Sequence, residues 1–162
     1  MIYRMKQKLF SWGDDFVIQD DSGQDRFFVD GKAFSLGNQL SFQDMQGNEL
    51  AYIRQRLLSF APTYEISRSG QVLATVSKEL FTFFSCTFDI DLPGPNDLQA
   101  KGDFLDHQYA FERGGETVAR VSKEWFAVAD TYGVQVEPGE DDVLILASSV
   151  VIDMACHGDR KD

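Results

Sequence analysis

Residues 139–156 read Gly-Glu-Asp-Asp-Val-Leu-Ile-Leu-Ala-Ser-Ser-Val-Val-Ile-Asp-Met-Ala-Cys, and no other stretch constrains the fold as strongly. Pro138 and Gly139 break the segment before it. Proline lacks an amide donor, and glycine has the freest backbone. Glu140, Asp141 and Asp142 then fill a first helical turn, where the positive end of the helix dipole favours carboxylates. At the far end His157 and Gly158 supply a cation and a left-handed cap. In between, only Ser148, Ser149 and Asp153 are polar, and the apolar residues sweep the whole helical wheel. A helix without a polar face must be enclosed. A bilayer is a poor enclosure for it. The run from Glu140 to Cys156 reaches only about 25 Å at the helical rise, and Asp153 lies inside it. No transmembrane span is therefore expected, and the enclosing shell must come from the rest of the chain.

The rest of the chain reads as strands. Segments 8–11, 16–19, 26–29, 40–43 and 49–56 carry strand patterns. Turn signals separate them at Gly13-Asp14, Asp21-Ser22-Gly23, Asp30-Gly31 and Gln46-Gly47-Asn48. Further on the chain repeats itself with an offset of 45 residues. Residues 64–81, YEISRSGQVLATVSKELF, align without gaps to 109–126, YAFERGGETVARVSKEWF, and nine of the eighteen positions are identical. A fainter copy at 47–58 shares the Gly, the Ala and the apolar spacing. Similarity over this length marks a repeated supersecondary unit. Each copy reads as a hairpin turning at Ser69-Gly70 or Gly114-Gly115. Period-two alternation puts Val72, Ala74 and Val76 on one face of the first, and Thr117, Ala119 and Val121 on one face of the second. The small Ala at the same place in each suggests close approach of another element, such as the helix. Short strands at turn spacings of about 8–12 residues, together with one all-apolar helix, predict a mainly β fold. The sheet closes into an antiparallel barrel, and the helix threads its lumen. One domain is expected over 1–157, with a mobile tail at 158–162.

Composition narrows the function classes. The net charge of −11 and pI of about 4.5 disfavour nucleic-acid partners, whose phosphates the chain would repel. Hydrophobic residues at 43%, with 14 Phe, exclude a disordered body. Cys86 and Cys156 form no metal or redox motif and read as two buried reduced thiols, as in a reducing compartment. Charges scattered through the first ten residues do not match a signal peptide. A cytoplasmic protein with no cofactor is the expectation.

Several of these features together resemble a known family. They are the start Lys6-Gln-Lys-Leu-Phe10, the Gly-x-x-x-Ala-x-Val-Ser-Lys-Glu-x-Phe units, the block Asp130-Thr-Tyr-Gly-Val134, and Pro138-Gly-Glu-Asp-Asp142 ahead of the apolar helix. The pattern is similar to the LURP-one-related family over residues 2–157. That family belongs with the Tubby C-terminal-like domains, together with the phospholipid scramblases. The resemblance implies a twelve-stranded barrel around a central helix. It implies little about activity, although Tubby proteins bind phosphoinositides through a basic groove and scramblases move lipids.

Candidate sites are few. Headgroup recognition needs clustered cations. Arg54 and Arg56 alternate on one strand and would share a face, and Arg4, Lys6 and Lys8 make a second such stripe. Lys78-Glu79 and Lys123-Glu124 recur at equivalent repeat positions, which marks a hairpin-end feature rather than a catalytic lysine. The carboxylate pairs are Asp14-Asp15, Asp20-Asp21, Asp89/Asp91 and Asp141-Asp142. Neighbours on a strand point to opposite faces, so adjacency is not convergence. The stretch from Asp89 to Asp97 reads as a turn-rich loop without calcium-ligand spacing. His107 falls in a strand-like segment and His157 at the helix end, neither within a catalytic motif. The leading expectation is a non-catalytic intracellular binding or scaffold domain with an unidentified protein partner and no catalytic or metal residues. The alternative is recognition of anionic phospholipid headgroups at a membrane surface, with Arg54 and Arg56 as contacts. A third is an enzyme at the barrel rim that would gather carboxylates around His107.

Overall fold

Alternation of side chains along short strands decides the architecture. The structure, a computed structural model, describes residues 1–6, 15–31, 39–80, 86–126 and 131–157. Among the described residues there are twelve strands: β1 (Ile2–Lys6), β2 (Phe16–Asp20), β3 (Asp25–Gly31), β4 (Gln39–Asp44), β5 (Glu49–Gln55), β6 (Thr63–Arg68), β7 (Gln71–Leu80), β8 (Cys86–Asp91), β9 (Leu98–Asp103), β10 (Gln108–Arg113), β11 (Glu116–Ser122) and β12 (Thr131–Val136). Each pairs antiparallel with its neighbours in sequence, and β1 pairs with β12, which closes the barrel. Closure leaves no sheet edge free. The inward side chains include Tyr3 and Met5 on β1, Ala51 and Ile53 on β5, Tyr64 and Ile66 on β6, and Phe88 and Ile90 on β8, all at 2% exposure or less.

The helix α1 (Asp142–His157) fills the lumen. Every residue from Leu144 to Met154 is buried, its polar members Ser148, Ser149 and Asp153 included. The helix lies nearest β5, with β6, β7 and β12 next. Ala51 on β5 and Ala74 on β7 present only methyl groups to the interior, as the repeated Ala suggested; Ala119 on β11 is equally buried.

The start of α1 is pinned from three sides. Asp141 caps it, with Oδ1 accepting the Leu144 N–H at 3.1 Å. Arg68, ending β6, donates to both Asp141 oxygens at 2.9 and 3.2 Å. Arg113, ending β10, donates to both Glu140 oxygens at 2.7 and 2.8 Å. The Tyr3 hydroxyl donates to Asp142. Arg68 and Arg113 stand 45 residues apart at matching repeat positions. Although burial alone would raise Asp141, hydrogen bonds from Arg68 and the Leu144 amide hold it below the ordinary carboxylate value.

Several expectations need correction. The strand expected at 8–11 lies outside the described residues, and among those the first strand is Ile2–Lys6. Asp30-Gly31 is no turn, because Gly31 pairs with Leu40 inside the ladder. Asp89 and Asp91 belong to β8 rather than to a loop. Val72 does not share the inward face with Ala74 and Val76; it is 51% exposed. The reason is a bulge. The β6/β7 register passes from Ile66↔Ala74 to Ser67↔Val72 and skips Leu73, whose side chain packs on the core instead. In β10/β11 the skipped residue is Val118, buried where Thr117 was expected. In β4/β5 it is Leu50.

The two ends of the barrel differ. One holds the start of α1 and the tight turns, where Ser69-Gly70 and Gly114-Gly115 adopt the positive φ that two-residue hairpins require. The other holds longer connections. There Trp125 and Phe126 fold back across the outside of β12. A Cβ on Gly133 would lie 2.6 Å from the Trp125 ring, so only glycine fits beneath them. The guanidinium of Arg4, the ladder partner of Gly133, sits 4.6 Å from the centre of the Phe126 ring.

Candidate functional site

Chemistry-bearing side chains gather both inside the barrel and on its outside. Inside, Asp153 is a buried acidic residue of the helix. Its Oδ1 lies 2.8 Å from His107 Nε2, and its Oδ2 accepts from the Tyr132 hydroxyl. The His107 ring stacks on Tyr132 at 4.3 Å. His107 is not in a strand, as the sequence suggested. It closes the turn between β9 and β10 with φ of 51°, and its ring is carried inward. Burial first, and the Asp153 carboxyl second, push the phenols of Tyr132 and Tyr109 well above their ordinary value. An acid, an imidazole and a phenol in contact are what proton transfer needs. Here His107, Tyr132 and Asp153 are exposed by 0%, 0% and 2%, so no substrate reaches them. The network satisfies a polar helix residue inside an apolar lumen.

Outside, Arg54 and Arg56 do come together. Arg54 is exposed near the end of β5, and Arg56 follows the strand rather than lying on it. Both line an open cleft of about 530 Å³ with Gln39, Leu57, Leu58 and Glu65. Arg56 Nε donates to Glu65 Oε1 at 2.8 Å, whereas Arg54 has no carboxylate partner among the described residues. Beyond them the β5–β6 connection, 56–62, turns its apolar side chains into solvent. Leu57 is 59% exposed, and Leu58 and Phe60 are fully exposed. The base of this loop is fixed. The Arg56 N–H donates to the Thr63 carbonyl at 2.8 Å and the Lys78 N–H to the Pro62 carbonyl at 3.2 Å. Sequence reasoning missed the loop because Leu57 and Leu58 continue the repeat pattern. The available signal was Pro62, which ends any strand reading.

The other candidates build no centre around His107. Asp89, Asp91, Asp97, Lys101 and Glu112 line an open exterior cleft of about 600 Å³. His107 is not part of it. There Asp97 accepts the Leu92 N–H at 2.8 Å, and Lys101 pairs with Glu112 at 3.3 Å. Asp20 caps its own turn by accepting the Ser22 hydroxyl and the Ser22 and Gln24 amides. Asp15 accepts the Gly31 N–H at 3.1 Å. The two Lys-Glu pairs are not equivalent in space. Lys78 and Glu79 lie within β7, whereas Lys123 and Glu124 lie past β11, and Lys123 reaches Asp106 at 3.4 Å. Asp14, Lys8 and the side chains of Lys6 and His157 are outside the described residues. Cys86 and Cys156 are free but only partly buried, and burial pushes the Cys156 thiol up to about 12. No helix among the described residues is long and apolar enough to cross a membrane.

A closed antiparallel meander wound around an apolar C-terminal helix defines the structural class. A family model for LURP-one-related proteins matches residues 1–153, and the chain belongs to that family. It is 36% identical over 158 residues to the "uncharacterized protein YxjI" of Bacillus subtilis strain 168, covering 98% of this chain and 95% of that protein. The crystal structure of the Arabidopsis thaliana protein AT5G01750 superposes with a TM-score of 0.66 over 93% of this chain and 88% of that one. The identity there is 20%, so this likeness speaks for the fold alone.

Proposed function

We propose that this protein is a non-catalytic intracellular binding domain that works through its exterior, with the 56–62 connection as its contact surface. One observation carries the proposal: α1 occupies the lumen, while Leu57, Leu58 and Phe60 stand uncovered within four consecutive positions. A ligand pocket is ordinarily concave and enclosing, and a filled barrel offers its binding chemistry outside. Single exposed apolar residues are ordinary, but a cluster at one loop tip marks an interaction site. Two free thiols fit a reducing compartment. A photo-crosslinking residue placed at position 58 in the cells that make the protein is expected to form adducts. The same residue at position 72, exposed at the opposite end, is expected to form none. Adducts at 72 and none at 58 would contradict the assignment.

A second reading, recognition of an anionic headgroup, has its own support. Arg54 is an exposed guanidinium without a carboxylate partner among the described residues, and it lies beside Arg56 at the foot of the same loop.

A further inference from the structure

We infer that the 56–62 connection is a membrane anchor. Leu57, Leu58 and Phe60 enter the interfacial layer of an anionic bilayer, and Arg54 and Arg56 meet its headgroup phosphates. The inference rests on the assignment of this loop as the contact surface and names what it contacts.

Three features favour a bilayer over a protein groove. First, the apolar side chains stand out into solvent, with Leu58 and Phe60 fully exposed. A protein partner needs a shaped hole for each, whereas the acyl boundary accepts any apolar group that reaches it. Second, the loop is held at its base. The Arg56 N–H to Thr63 and Lys78 N–H to Pro62 hydrogen bonds clamp its base, so insertion orders little further chain. Third, the charges match in place. Arg54 and Arg56 lie together on the β5 side of the tip, and Arg54, which has no carboxylate partner among the described residues, can pair with phosphate oxygens through its planar fork of donors. The chain as a whole carries −11, so an anionic surface repels the body and accepts only a face where cations lead. Beyond about 8 Å the body's charges are screened at physiological salt, which lets this face dock. Attachment of this kind is peripheral and reversible, since one small loop offers far less apolar surface than a spanning helix.

The test is flotation of the full-length protein with vesicles of phosphatidylcholine alone, and of phosphatidylcholine mixed with phosphatidylglycerol. Binding is expected on the mixed vesicles and to weaken with salt. Leu58→Ser combined with Phe60→Ser, both at solvent-exposed positions, is expected to leave the melting temperature unchanged and to weaken binding by about tenfold or more. Arg54→Gln is expected to weaken it about fivefold and to reduce its salt dependence. Phe60→Trp is expected to shift its emission to the blue only with the mixed vesicles. Failure of the wild type to float with the mixed vesicles overturns the inference, as does binding indifferent to the Leu58/Phe60 pair. If position 58 still crosslinks to a protein in that case, the contact surface stands and only the membrane is refuted. If position 58 crosslinks to nothing, the contact surface itself fails.

Discussion

Ile145→Asp is expected to abolish cooperative folding or to lower the melting temperature by more than about 10 °C. Ile145 is 1% exposed on the helix inside the barrel. A carboxylate there loses its hydration and finds no cation, because the arginines at the helix mouth already serve Glu140 and Asp141. An unpaired charge in a core costs about 4 kcal/mol or more, against a total stability of about 5–15 kcal/mol for a typical domain. For a chain of this size each kcal/mol shifts melting by about 2–4 °C. Ile145→Val is the control. It removes one methylene and should cost only about 1 kcal/mol. Thermal melts followed by circular dichroism separate the two outcomes.

Asp153→Ala is expected to cost about 3–5 kcal/mol, nearly as much, for the opposite reason. It removes a buried acceptor instead of adding a buried charge. The Tyr132 hydroxyl and the His107 ring nitrogen both lose this partner inside the barrel. Asp153→Asn keeps the shape and part of the hydrogen bonding, so it should fall between wild type and Ala. The same region gives stability a direction in pH. Tyr132 and Tyr109 are raised from 10.0, and Cys156 from 9.0 to about 12. A raised folded-state pKa means that the fold favours the protonated group. Its contribution is complete below the unfolded value and is lost as pH rises above it. The urea midpoint should therefore fall once pH exceeds about 9–10. The fall should be shallower in Tyr132→Phe, which has no phenol to ionise.

The helix and the barrel were legible for one physical reason: burial on all sides erases the polar face that an exposed helix must carry. Val143 to Cys156 showed that without any long-range information. The hairpins followed from turn residues and alternation, and the repeat set the phase of Ala74 and Ala119. What alternation alone does not encode is a bulge. Leu73 and Val118 took the inward places expected of Val72 and Thr117 because one residue is skipped in each ladder. The partners of Asp153 were equally hidden, since they lie 46 and 21 positions away and meet it only once the barrel closes. The three-sided clamp on the helix start was half visible: Arg68 and Arg113 are identical in the repeat, and the acids at 140–142 had been placed at the helix start. Only the structure joins them. On the exterior, Arg54 and Arg56 were placed near one another correctly but on one strand face. The exposed tip beside them was invisible, because Leu58 and Phe60 carry the same residue types as the core and differ only in what fails to cover them.

Amide hydrogen exchange along α1 tests the enclosed helix most directly. If strands surround it, the amides from Leu146 to Ile152 exchange only through global unfolding, as slowly as those of Ile53 and Ile66 in the barrel wall. A one-sided pattern, fast on one helical face and slow on the other, or uniformly fast exchange through local opening, would place that helix on the outside and contradict the architecture.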